Sequence, residues 1–91
     1  LLAAVLTQDF IVYSDELNHA SIIDGIKLSG CEKKIFKHND IEDLRRCLSE
    51  ATTKKYKLIV VERIYSMSGD HAPMEALIET AHEFSAQMIV D

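Results

Sequence analysis

Four polar side chains could carry chemistry in this chain: His19, Glu62, Ser66 and Asp91. An imidazole, two carboxylates and a hydroxyl are groups that hold a polar ligand or move a proton. Each lies at or just beyond the end of an apolar run that is typical of a buried strand. In a parallel sheet the carboxyl ends of the strands share one edge, where loops and helix N-termini converge on ligands. The four side chains are therefore possible neighbours.

A purely structural role is also open for each of these residues. A histidine near a helix start is often a hydrogen-bonded structural group. The segment Ser66–Asp70 has the composition of a turn, and Asp91 could cap a helix that follows it. The residues alone leave both explanations open.

Other recognised kinds of site are not indicated. With three glycines the chain has no phosphate-binding glycine loop, and neither HExxH nor GxSxG occurs. Cys31 and Cys47 lack CxxC spacing. No metal or redox site is therefore predicted, and a reducing, cytoplasmic setting is expected.

Charge and hydropathy exclude two classes of partner. A net charge of −5 argues against a general nucleic-acid binder, because phosphate contacts require clustered Lys and Arg. No apolar stretch approaches the roughly 20 residues that span a bilayer, so we expect no membrane insertion. The chain starts without Met and ends where a strand would deliver its loop, which suggests an excerpt from a longer protein.

Helical and extended patterns alternate along the chain, which predicts an α/β fold with a mostly parallel sheet between two helical layers. Asn18 is a plausible N-cap for the helix that ends near Ser29, before Gly30. Asn39 and Glu42 have the spacing of a capping box, and Pro73 suits a first helical turn. Strands are predicted at Phe10–Tyr13, Ile35–Phe36, Leu58–Val61 and Met88–Val90, a helix at 1–6, and the longest loop at Glu62–Ala72.

Four segments together resemble one enzyme family, the α-oxoamine synthases. These segments are Asp15–Gly25, Phe36–Asp40, Glu62–Asp70 and Val90–Asp91, in the family's order and spacing. The family consists of acyltransferases of pyridoxal-phosphate fold type I. The resemblance implies that residues 1–91 are one partial domain, the central part of the cofactor-binding large domain, with the N- and C-terminal portions absent.

The resemblance also implies a role for each candidate residue. His19 looks like the histidine that stacks on the pyridine ring of pyridoxal phosphate, and it is the candidate catalytic residue. Asp91 resembles the carboxylate that pairs with the pyridine nitrogen, which keeps the ring protonated. Ser66 and Glu62 resemble cofactor-facing positions on the next loop. Arg63 departs from the family, which has a small residue there.

The implied reaction condenses an amino acid with an acyl-CoA, usually with loss of carbon dioxide, in a homodimer. None of the lysines in this sequence matches the family's Schiff-base motif, which lies downstream of Asp91. The 91-residue stretch alone should therefore be inactive. Two other hypotheses stay open: a non-catalytic subunit or scaffold that keeps the fold without the lysine, and a free-standing flavodoxin-like module.

Overall fold

Helices and strands alternate along the part of the chain that the computed structural model describes, residues 9–62, 64–65, 70–71 and 73–90. The helix predicted at 1–6 lies outside those residues. In chain order the elements are β1 (Phe10–Asp15), α1 (Ala20–Ser29), β2 (Glu32–Phe36), α2 (Ile41–Ser49), β3 (Tyr56–Val61), β4 (Ile64–Tyr65), β5 (Asp70–His71), α3 (Met74–Glu83) and β6 (Gln87–Val90).

Four strands form one parallel sheet in the order β2-β1-β3-β6. This confirms the predicted α/β class, with strands that extend beyond their most apolar residues. The segment predicted as one long loop, Glu62–Ala72, instead contains the short antiparallel pair β4 and β5. Their residues, Ile64–Tyr65 and Asp70–His71, are too few to give an apolar run that a sequence pattern would reveal.

The sheet is covered on both faces, as predicted. Alternate strand residues face opposite ways, so Tyr13 and Ile59 pack with α2 and α3, whereas Val12 and Val60 pack with α1. Covering both faces explains the continuous apolar runs in β1 and β3. Among the described residues, no helix has the length and apolar character needed to cross a membrane.

Two predicted helix caps were wrong by one residue. His19, not Asn18, is the N-cap of α1, and Asp40, not Asn39, caps α2 through a 3.0 Å hydrogen bond to the Asp43 amide. Asn18 is drawn into the buried interior instead, and Asn39 takes a left-handed conformation with φ of 53°. The predicted stop of α1 at Gly30 is confirmed by its left-handed φ of 73°.

The strand order creates a topological switch point between β1 and β3. The chain leaves β1 for α1 on one face of the sheet, and it leaves β3 for α3 on the opposite face. Loops that diverge in this way open a crevice at the carboxyl ends of the two strands, which is where ligands bind in open α/β sheets.

A buried hydroxyl gives a first stability prediction. The Tyr13 hydroxyl has no hydrogen-bond partner among the described residues, and burial raises its pKa to about 12. Tyr13→Phe removes this unpaired polar group, so the free energy of unfolding should rise by about 1 kcal/mol. Urea denaturation measures it. The control is Tyr56→Phe, an exposed ring. Destabilisation by Tyr13→Phe would show that the hydroxyl has a partner.

Candidate functional site

His19 lies at the switch point, where the loop after β1 becomes α1. Its Nδ1 accepts a hydrogen bond from the Ser21 amide at 3.1 Å and lies 2.9 Å from the Ser21 hydroxyl. The imidazole therefore caps the helix in the way that an Asn or Ser side chain usually does. This contact fixes the orientation of the ring relative to α1.

The same contact decides which part of the His19 ring remains available. Because Nδ1 accepts from an amide, the proton of the neutral imidazole lies on Nε2. His19 is exposed, which leaves a flat ring with a donor at Nε2 accessible at this edge of the sheet. One side chain therefore combines a helix cap with an exposed aromatic ring.

Glu62 contacts the backbone of His19 at the carboxyl ends of β1 and β3. It directly follows β3, and its Oε2 accepts a hydrogen bond from the His19 amide at 2.9 Å. The amide lies at the N-terminus of α1, where a negative charge is favoured by the helix dipole. Two of the four candidate residues are thus brought into direct contact by the fold.

Asn18 ties the His19 loop to both strands of the switch point. Its Nδ2 donates to the Ser14 Oγ and to the Val60 carbonyl, each at 2.8 Å. The side chain is 7% exposed, so these bonds form away from water. Sequence reasoning missed this role because an Asn before a helix is usually a cap.

Asp15 and His38 form a second polar centre that sequence reasoning also missed. Asp15 is the last residue of β1 and is 1% exposed. Its two carboxylate oxygens lie 3.1 and 3.2 Å from the His38 Nδ1. A buried Asp requires partners, and the histidine that follows the neighbouring strand β2 was the signal that could have identified one.

The predictions for Ser66 and Asp91, and the departure at Arg63, lie outside the described residues. The pairing of β3 with β6 places Val61 opposite Val90, the residues that precede Glu62 and Asp91 in sequence. Among the described residues, no group of three or more His, Cys, Asp or Glu side chains could hold a metal ion.

One protein-family model matches the whole chain. Residues 1–91 match the family described as aminotransferase class I and II. The chain spans about 23% of the length of the curated relatives it matches. The match therefore covers all of this chain and a minor part of each relative.

The curated relatives are named as synthases. An 8-amino-7-oxononanoate synthase from Bacillus velezensis is 43% identical over all 91 residues, which are 23% of that protein. A 5-aminolevulinate synthase from Bradyrhizobium diazoefficiens is 44% identical over 88 residues, 97% of this chain and 22% of that protein.

Solved structures show the same fold at high similarity. A serine palmitoyltransferase from S. paucimobilis, bound to a PLP–myriocin aldimine, superposes with a TM-score of 0.92 and 34% identity, covering 99% of this chain and 23% of that one. The 8-amino-7-oxononanoate synthase of Francisella tularensis gives a TM-score of 0.76 at 28% identity, covering 99% and 25%. The chain therefore belongs to the aminotransferase class I and II family, and its relatives are the α-oxoamine synthases that its motifs predicted.

Proposed function

We propose that the complete protein carrying this chain is a pyridoxal-phosphate-dependent acyltransferase that condenses an amino acid with an acyl-CoA, usually with decarboxylation. The observation that carries the proposal is an oriented, exposed His19 imidazole at the switch point. The chain around it is 43% identical along its whole length to an 8-amino-7-oxononanoate synthase.

The described residues fit a flat aromatic cofactor. The Ser21 contact holds the His19 ring by one nitrogen and leaves the ring available to stack on a pyridine. Glu62 accepts a hydrogen bond from the His19 amide, which holds His19 at the carboxyl end of β3. Ser66 and Asp91 complete the proposed cofactor-binding set, with Asp91 following β6 in sequence.

Bound there, pyridoxal phosphate would supply the electron sink that stabilises a carbanion at the α-carbon of the amino acid. His19 would hold the plane of the ring and would donate its Nε2 proton to the carboxylate of the amino acid. Asp91 would keep a proton on the pyridine nitrogen through an ion pair. Glu62 anchors the His19 backbone so that the imidazole keeps its orientation.

The proposed partners follow from the same assignment. The substrates are an amino acid and an acyl-CoA, and the protein acts as a cytoplasmic homodimer. Two observations are consistent with a reducing compartment: Cys31 and Cys47 are both free thiols. Light scattering that showed a monomer would contradict the homodimer.

Trapping the cofactor tests the proposed function. Pyridoxal phosphate is titrated into the complete protein, the visible absorbance is followed, and borohydride is added before peptide mapping. We expect reduction to fix the cofactor on a lysine outside residues 1–91. Two of the lysines within the chain already have partners: Lys34 pairs with Glu50, and Lys57 donates to the Leu48 carbonyl at 3.2 Å.

Two other outcomes of trapping would contradict the proposal. A folded protein with no bound cofactor would indicate the non-catalytic subunit or scaffold, and a search for a catalytic partner chain would follow. A cofactor fixed to Lys37 or another lysine within this chain would place the reacting centre elsewhere. In either case the role of His19 would have to be reassigned.

A further inference from the structure

The loop that carries His19 is anchored on the side away from Glu62 by one buried carboxylate. Asp15 is 1% exposed and lies four residues before His19. Its Oδ1 accepts from the Leu17 amide at 2.8 Å, within the same loop. Burying a carboxylate is costly unless hydrogen bonds compensate it, so the remaining lone pairs of Asp15 also require donors.

Those donors come from the turn that follows β2. The Asn39 amide donates to the Asp15 Oδ2 at 3.0 Å, and the His38 Nδ1 lies within hydrogen-bond distance of both oxygens. An ionised carboxylate only accepts, so the His38 imidazole must carry its proton on Nδ1. The side chain of His38 is 17% exposed, which limits its replacement by water.

A second pair of contacts joins the same two segments, one donated by the turn and one donated by the loop. The His38 amide donates to the Glu16 Oε2 at 3.0 Å, and the Glu16 amide donates to the Phe36 carbonyl at 3.0 Å. The loop of residues 16–19 is therefore joined to β2 and its turn through both backbone and side chains. Glu62 joins the same loop to β3.

We infer that His38 is a positioning residue of the candidate site. By donating to Asp15 it fixes the first half of the His19 loop, while Glu62 fixes the second half. The orientation of the His19 imidazole then depends on a histidine two strands away from Glu62 in the sheet, β2 and β3 flanking β1. The predicted effect of His38 on cofactor affinity rests on the proposed function. The predicted effect of His38 on the His19 loop does not depend on it.

Three substitutions in the complete protein test it. His38→Asn keeps an amide donor close to the position of Nδ1, His38→Leu has similar bulk without a donor, and His38→Gln moves the donor outward by about one methylene. Each is measured for hydrogen exchange of the amides at 17–21 and for affinity for pyridoxal phosphate.

We expect the leucine variant to exchange faster at 17–21, with the β3 amides unchanged, and to bind pyridoxal phosphate roughly tenfold more weakly. The asparagine variant should restore both properties. If the leucine variant does not fold, the glutamine variant must show both losses. Wild-type behaviour of the leucine or glutamine variant, or an asparagine variant as impaired as leucine, would overturn the inference.

The two readouts separate this inference from the proposed function. If the wild-type protein does not bind pyridoxal phosphate, the proposed function fails, yet hydrogen exchange still decides whether His38 holds the loop. If the cofactor binds but exchange at 17–21 is the same in all variants, the proposed function stands and the positioning role of His38 is wrong.

Discussion

Replacing His19 with alanine should lower kcat/KM of the complete protein by about 100-fold, because the cofactor and the amino acid lose the group that aligns them. The same change removes the N-cap of α1, which should lower the free energy of unfolding by about 1 kcal/mol. Steady-state kinetics and urea denaturation measure the two effects.

Two further substitutions separate the two roles of His19. Asparagine can accept from the Ser21 amide but has no ring, so His19→Asn should keep the stability and lose cofactor affinity. Phenylalanine keeps a flat ring but cannot cap, so His19→Phe should retain most of the cofactor affinity and lose the cap energy. Both variants should have low activity, since neither supplies the Nε2 donor.

The matched control for His19 is His82→Ala, on the exposed face of the last turn of α3. It should leave kinetics and cofactor affinity unchanged. If His19→Ala behaved like His82→Ala in kinetics and cofactor titration, His19 would be a structural cap only, the alternative that the sequence left open.

Removing the Asp15 carboxylate should cause the largest loss of stability among the polar substitutions considered for this chain. Asp15→Ala leaves the Leu17 and Asn39 amides and the His38 imidazole without their acceptor in a buried place. We expect the free energy of unfolding to fall by about 3 kcal/mol, since hydrogen bonds to a buried charge are the costly ones to break. Urea denaturation of the complete protein measures it.

Asp24→Ala is the control for the Asp15 substitution. Asp24 is an exposed carboxylate on α1, so its loss should change the free energy of unfolding by less than about 0.5 kcal/mol. Equal effects of the two substitutions would show that the Asp15 hydrogen bonds contribute no net stability. The further inference about His38 would then lose its structural basis.

The layer architecture could be predicted from sequence because it depends on burial. Leu58–Val61 is apolar at every position because both faces of β3 are covered. A continuous apolar run therefore indicates a strand that is buried on both faces. The pair β4 and β5 could not be predicted, because strands of two residues are too short to leave a hydropathy pattern. Their pairing is a property of backbone geometry.

The caps were misassigned for a related reason. Asn18 and His19 can both accept from a helix amide, and the choice between them depends on the Val60 carbonyl and Ser14, which come from elsewhere in the fold. Competition between local and distant partners is invisible in a single sequence. The position of the cap, at residue 18 or at residue 19, therefore could not be predicted.

In the candidate site, too, some features could be predicted from sequence and others depend on strand pairing. Position at the end of a strand identified His19 and Glu62, and the fold brings them into contact. The link from Asp15 to His38 was not predicted, because it joins residues 23 apart in sequence through the pairing of β1 with β2. Ser66 and Asp91 stay predictions.

A crystal structure of the complete protein with pyridoxal phosphate is the most direct test of the central claim, that the crevice between β1 and β3 holds the cofactor against His19. We predict a pyridine ring stacked on the His19 imidazole, with the Ser21 contact to Nδ1 retained and Asp91 at the pyridine nitrogen. A cofactor bound away from this edge of the sheet, or a His19 ring without contact to it, would contradict the account.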